Sequence, residues 1–455
     1  MNRSNDLTQG SIWKKLILYA APLVASNVLQ AMYAMVDMIV AGHFVGTGAI
    51  SAITNGSQVM MMATNIIIGL TTGGNILIGQ YFGARDGENC KSTAETLFSG
   101  GMALGAVLAV LMAALSRPLM ALLGAPSLDD AAQYLRICSA GTVFITGYNV
   151  AGACLRGVGN SRAPMVCIAC STVSNVVLDI LFVGPCDWGV AGAAAATVIS
   201  QAISFLIGLR FLLKSPNLFG IRLTHLSLRR DKLKMILKLG VPCAVQMSIA
   251  SISWLTVTYI VNDYGVCVSA ASGIAAKIKD LCQLFIVAMS SAASGMVAQC
   301  IGAQDYPRAR RALYTAMAVS VGLSALLAAA VELFAPAMAG LFTQDAETAA
   351  WVVKNLRIEI PGQLFFACFL VYHALGLGSG DTWFVLLSSL INCILVRVPL
   401  AFWFNAAYGI TGVYWACMIA PFSSVPFGFW YERSGRWMHA AIRENRKTIR
   451  RSYHA

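Results

Sequence analysis

Charge is what this chain of 455 residues has least of: Asp, Glu, Lys and Arg make up 11% of it, against 58% hydrophobic residues. With a mean hydropathy of +0.69, that scarcity lies far outside the composition of soluble domains and makes a bilayer the expected solvent. There is no GxxxxGK[ST] phosphate loop, and about a dozen spans of roughly 20 residues each leave no room for a nucleotide-hydrolysing domain. ATP-driven pumping by this chain itself is therefore excluded. Histidine is sparse too. The five histidines (43, 225, 373, 439 and 454) are scattered, without the nucleophile-base or metal spacing that an intramembrane enzyme needs. The thirteen cysteines lie almost all inside apolar runs and read as small packing residues, not as a disulfide framework. Met1 to Lys15 is polar, with no short apolar stretch leading to a cleavage site, so the first span is expected to act as its own uncleaved signal.

What the chain has in abundance is long apolar runs. Between polar breaks they give spans at about 15–41, 51–78, 93–116, 133–154, 164–185 and 189–213, then 235–262, 268–300, 312–334, 352–376, 383–406 and 410–431. The organisation expected is a cytoplasmic N-terminus (1–14), a first lobe (15–213), a cytoplasmic linker (214–234), a second lobe (235–431) and a basic cytoplasmic tail (432–455). With both termini inside, 25 of the 32 Lys and Arg residues fall on the cytoplasmic side, four outside and three within spans. That bias fixes an N-in, C-in topology. The net charge of +12 follows from topology, and no nucleic-acid partner is needed to explain it. The tail from Arg433 to Arg451 reads as a positive-inside anchor, or as a basic helix on the lipid surface.

The two sets of spans are copies of one another. Pro22 matches Pro242, and GlnTyrPheGlyAlaArgAsp (80–86) matches GlnCysIleGlyAlaGlnAsp (299–305). LeuArgIle (135–137) recurs at 356–358, GlyValGly (157–159) as GlyLeuGly (376–378), and GlyValAlaGly (189–192) as GlyIleThrGly (409–412). Five anchors share an offset of about 219 to 221 residues. The fold class is therefore an all-α polytopic membrane protein of twelve transmembrane helices in two homologous six-helix lobes. Six spans per half insert both halves the same way up, so a pseudo-two-fold axis along the membrane normal is expected, with a substrate cavity between the lobes.

Charged groups inside a bilayer are costly enough to be functional candidates by default. Asp37 lies about 22 residues, roughly 33 Å of helix, beyond Lys15; Asp179 lies about 15 residues, roughly 22 Å, from Pro164. Asn175 precedes Asp179 by four residues and shares its face, and Gln30 precedes Asp37 by seven. Asp37, Asn175 and Asp179, with a hydroxyl such as Thr197, are expected to bind a proton or a sodium ion through oxygen ligands. The alternative is that each Asp merely hydrogen-bonds a neighbouring helix. The second lobe is chemically unlike the first, since Thr256 stands opposite Asp37 in the repeat. It offers Gln246, Met247, Trp254, Tyr259, Phe285, Met289, Tyr372 and His373, side chains suited to apolar or aromatic ligands and to cation–π contact, or to ordinary helix packing. Glu359 with Arg357, and Lys277 with Asp280, read as local charge pairs near the outer interface.

Six features follow one another along the first half: LeuThrGlnGlySerIleTrpLysLysLeu (7–16), Pro22, TyrAlaMetValAspMetIleValAlaGlyHisPheValGly (33–46), GlyGlnTyrPheGlyAlaArgAsp (79–86), LeuArgGlyValGlyAsn (155–160) and AsnValValLeuAspIleLeuPheVal (175–183). In their order and spacing the chain resembles the multidrug and toxic compound extrusion (MATE) transporters. The resemblance implies a multi-pass protein of the bacterial cytoplasmic (inner) membrane, acting as a monomer without a cofactor. It also implies alternating access and export of small organic cations or amphipathic drugs against inward H+ or Na+. By the same resemblance, cation coupling falls on Asp37, Asn175, Asp179 and Thr197, with Gln30 and Asn149 in the adjoining cavity. The acidic residue that some branches carry in the seventh span is missing, Trp254, Thr256 and Thr258 standing there, which is nearer the DinF-like and MepA-like branches. A lipid-linked oligosaccharide flippase would share the two-lobe plan but needs a more cationic cavity than Lys277, Lys279 and Arg397 provide. A non-transporting receptor is disfavoured by the repeat.

Overall fold

The structure is a computed structural model that describes residues 6–44, 47–123, 127–214, 227–439 and 441–442, with all their side chains except those of residues 34, 35 and 37–51. Among these residues there are helices and short turns and no strand, as expected of a chain that must satisfy its own amides in lipid. Twelve helices are long and apolar enough to span a membrane. In the first half they are α1 (Ile12–Phe44), α2 (Thr47–Gly83), α3 (Gly87–Ala114), α5 (Leu128–Gly157), α6 (Arg162–Val183) and α7 (Gly189–Leu213), with a short α4 (Ser116–Leu122) after α3. The second half has α8 (Arg230–Asn262), α9 (Val266–Gly302), α10 (Tyr306–Phe342), α11 (Ala346–Glu359) and α12 (Gly362–Ser379). It continues with α13 (Thr382–Leu390), a π-helical turn (Ile391–Arg397), α14 (Val398–Tyr408), α15 (Ile410–Ile419) and α16 (Ser424–Ser434).

The run at 352–376, expected as one span, is two helices. Pro361 has no N–H to offer the Arg357 carbonyl, so the helix ends at Glu359 and α12 starts afresh at Gly362. The π turn has a related cause: Pro399 leaves the Leu395 carbonyl without its donor, and the ladder is re-spaced just before it.

The internal repeat reaches the backbone. Four helices end on the same left-handed residue: Arg85 (φ 57°), Gly159 (φ 81°), Gln304 (φ 64°) and Gly380 (φ 83°). In each case the next residue, Asp86, Asn160, Asp305 or Asp381, donates its amide to a carbonyl five residues back. Its side chain then accepts from the amide three residues on, at 3.0–3.2 Å, starting the following helix. Arg and Gln hold a conformation that favours glycine, and they do so at equivalent places in the two halves.

The helices gather into two compact units. One comprises Ala21–Ala244 with the first residues of the chain, the other Leu7–Ala20 with Val245–Ala455. The opening stretch of each half's first helix thus packs with the other half's helices, and the switch falls beside Pro22 in α1 and Pro242 in α8. In the first unit, a Cβ on Gly73 would lie 2.6 Å from the Ile236 carbonyl, and one on Gly240 would lie 2.9 Å from the Gly69 carbonyl. These helices touch backbone to backbone, which only small residues permit. In the second unit, the Leu7 amide donates to Gln299 Oε1 at 3.0 Å, and Arg308 donates to the Leu7 and Gly10 carbonyls.

Candidate functional site

In the first unit the functional side chains come from one strip of α6. Cys167, Ser171, Asn175 and Asp179 recur every four residues on one face. That face is pegged to α7 by two bonds: Ser171 Oγ donates to the Ser200 carbonyl at 3.0 Å, and Ser204 Oγ donates to the Cys167 carbonyl at 3.3 Å. The antiparallel register they set, continued along both helices, puts Asn175 level with Ala196, next to Thr197, and Asp179 level with Gly192. Asn175 and Asp179 are fully buried. Neither the amide nitrogen nor the amide oxygen of Asn175 has a hydrogen-bond partner among the described residues. A buried amide in that state costs about 1–3 kcal/mol, so it is a group prepared for a ligand or for a neighbour outside the described residues.

Thr197 joins α7 to α1, since its Oγ accepts a hydrogen bond from Tyr33 Oη at 3.2 Å. Tyr33 was not singled out by the sequence; the only clue was its position, one turn before Asp37 on α1. The backbone of Asp37 lies within α1, while its side chain is outside the described residues. Asn149 is half-buried on α5 and donates Nδ2 to the Ile145 carbonyl of its own helix at 2.8 Å. Gln30, two turns before Asp37, is exposed.

The second unit's sequence candidates differ in exposure. Trp254 and Tyr259 are open on α8, with 42% and 66% of their surface exposed, and Gln246, Met247 and Phe285 are half-buried. Met289 and Tyr372 are buried, and Tyr372 packs so tightly on α16 that a Cβ on Gly428 would lie 2.4 Å from its ring. His373 is buried against Phe369, ring centroids 4.0 Å apart.

The charges pair differently from the sequence expectation. Glu359 bonds Lys279 of α9, both side chains buried, while Arg357 reaches Glu332 of α10 at 3.6 Å near the surface. Residues two apart on a helix point to different faces, so Glu359 and Arg357 were never able to face one another. Arg397, at the end of the π turn, is also buried, its Cζ 4.8 Å from the centre of the Trp254 ring.

Comparison with known proteins agrees with this architecture. The family model described as MatE matches residues 22–181 and 242–403, the two halves of the repeat. The probable multidrug resistance protein YoeA of Bacillus subtilis (strain 168) is 29% identical over 401 residues, 86% of this chain and 87% of its own length. The multidrug export protein MepA of Staphylococcus aureus (strain NCTC 8325 / PS 47) is 24% identical over 421 residues, 90% of this chain and 91% of its own. A crystal structure of MATE in the straight conformation superposes with a TM-score of 0.90 at 24% identity, covering 95% of this chain and 98% of that one.

Proposed function

Since the chain belongs to the MatE family of transporters, we propose that it is a secondary active multidrug exporter. It moves organic cations or amphipathic compounds by alternating access, driven by inward H+ or Na+. The observation that carries the ion half of this reading is the buried strip of α6. Asp179 and Asn175 lie one turn apart with no exposed surface, and the register of α6 on α7 puts Thr197, bonded to Tyr33, near the level of Asn175. A carboxyl group buried there can carry a proton or stand beside a cation, and exchanging one for the other is what ion coupling requires. The oxygens of Asp37, Asn175, Asp179 and Thr197 are hard donors that suit Na+, and the carboxylates equally suit a proton. The family resemblance adds Gln30 and Asn149 as further polar groups of the substrate site.

Exchange follows if ion and drug favour different access states, because a ligand that binds both states equally shifts nothing. Exposed aromatic surface at Trp254 and Tyr259 supports an apolar wall for the drug, to which the half-buried Gln246 and Met247 of α8 and Phe285 of α9 would add. The charge bias along the sequence supports cytoplasmic termini and a cytoplasmic linker; the two six-helix lobes rest on the repeat, and a monomer in the bacterial cytoplasmic membrane rests on the family resemblance.

The experiment is ion-driven transport by purified protein in liposomes for Asp37→Asn, Asp179→Asn and the double variant. Groups acting as one site are expected to show a double loss hardly worse than either single loss. Losses that multiply would mean two independent sites.

A further inference from the structure

We propose that the second unit holds a binding site for a single carboxylate, built on the Arg397 guanidinium and the Trp254 indole. As part of a transported solute, the carboxylate rests on the export reading above; as a bound ligand, it does not.

Arg397 is the observation that demands it. Only 5% of the residue is exposed, and its guanidinium has no hydrogen bond or ion pair among the described residues, Nε being fully buried without a partner. Glu359, a buried carboxylate of the same unit, is already engaged with Lys279. Lys279 and Arg397 both stand over the Trp254 ring, at 5.9 Å and 4.8 Å from its centre, and Glu359 bonds Lys279, so the three form one cluster of two cations and one anion. An arginine cannot shed its proton to relieve the imbalance as a lysine does. The indole beneath it offers a cation–π contact, which offsets only a fraction of the cost of an unpaired buried ion. One negative charge is missing.

The surroundings are built to hold it. Ser253 Oγ donates to the Cys393 carbonyl at 2.8 Å, locking α8 to the π turn and setting Trp254 beside Arg397. The π turn swings its side chains off the ordinary helical register, a device common at functional sites. Lys279 Nζ lies 5.9 Å from the centre of the same Trp254 ring. The planar fork of Arg397 fits a carboxylate with two parallel hydrogen bonds, while the half-exposed indole offers a flat face to an aromatic or aliphatic body. Glu359 sets the limit: the neighbouring Lys277 and Asp280 offset one another, so Arg397, Lys279 and Glu359 leave a net excess of one positive charge, which a monoanion neutralises and a phosphate dianion overshoots. The ligand class is an amphipathic monocarboxylate, including zwitterions.

The test is binding of 1-naphthoate and of its neutral isostere 1-naphthamide to the purified full-length protein in detergent, by titration calorimetry. The acid is expected to bind at least about ten-fold more tightly, the scale of a charge-assisted hydrogen-bonded contact. Arg397→Gln should abolish the preference, Arg397→Lys should reduce it, and Lys277→Gln, at an exposed position, should leave it intact. Arg397→Met supplies a separate readout, because removing an unpaired buried charge should raise the melting temperature of the ligand-free protein. Equal affinity for acid and amide, or a preference that survives in Arg397→Gln, overturns the site. So does a lower melting temperature for Arg397→Met. If sodium chloride alone displaces naphthoate and stabilises the protein equally, the site is one for inorganic anions and the carboxylate assignment falls. None of these measurements uses an ion gradient, so a failure of coupled export leaves them standing, and their failure leaves coupled export standing.

Discussion

Replacing Glu359 by Gln should destabilise the second unit far more than deleting both members of its ion pair. Lys279 and Glu359 bond one another with side chains only 7% and 8% exposed. Coulombic attraction there is weakly screened, but each ion has also lost its water. Removing the carboxylate alone leaves Lys279 buried and charged in a cluster that already contains Arg397, a change worth about 3–5 kcal/mol. The double replacement Lys279→Met with Glu359→Met removes both desolvation costs along with the attraction, and is expected to be about neutral or stabilising. Thermal unfolding in a mild detergent, followed by loss of monodisperse protein, reads the order directly: Glu359→Gln melts lowest, with wild type and the double variant close together. If Glu359→Gln melts with the wild type, the pair is hydrated and the buried-cluster account of this unit is wrong.

At the backbone contact between α2 and α8, Gly73→Val should abolish the yield of folded protein, since its Cβ would sit 2.6 Å from the Ile236 carbonyl. Gly87→Val, where a Cβ meets nothing within 4 Å, should be tolerated, and size-exclusion profiles of the two compare them. Outside the spans, Asp345 caps α11, and bonds from the Thr348 hydroxyl and amide hold its carboxyl below the ordinary value of 3.8. A depressed carboxyl stabilises the fold above its unfolded value, and that contribution disappears as the pH falls from about 3.8 through the folded value. Exchange of the Thr348 amide should therefore accelerate below about pH 3.8, and Asp345→Asn should show no such step.

The spans and the repeat were legible because both are written in local pattern. Apolar runs end at polar breaks, and motifs such as 80–86 and 299–305 fix the same left-handed turn twice. The Asn175 and Asp179 face was legible for the same reason, four residues being one turn. Contacts between helices distant in sequence were not. Tyr33 and Thr197 are 164 positions apart, and Lys279 and Glu359 are 80 apart. Nothing in a run of apolar residues says which face meets which neighbour, because helices apolar all round carry no stripe. For that reason Met289 and Tyr372 could be placed in a wall by chemistry alone, yet both lie buried among neighbouring helices.

Ion coupling through the first unit is tested most directly by substrate uptake into proteoliposomes, with a pH gradient and a sodium gradient imposed separately. One of the two gradients should drive uptake by the wild-type protein, and Asp179→Asn should abolish that driven uptake while the protein remains folded and inserted. Gradient-driven uptake by Asp179→Asn at the wild-type rate would contradict the account.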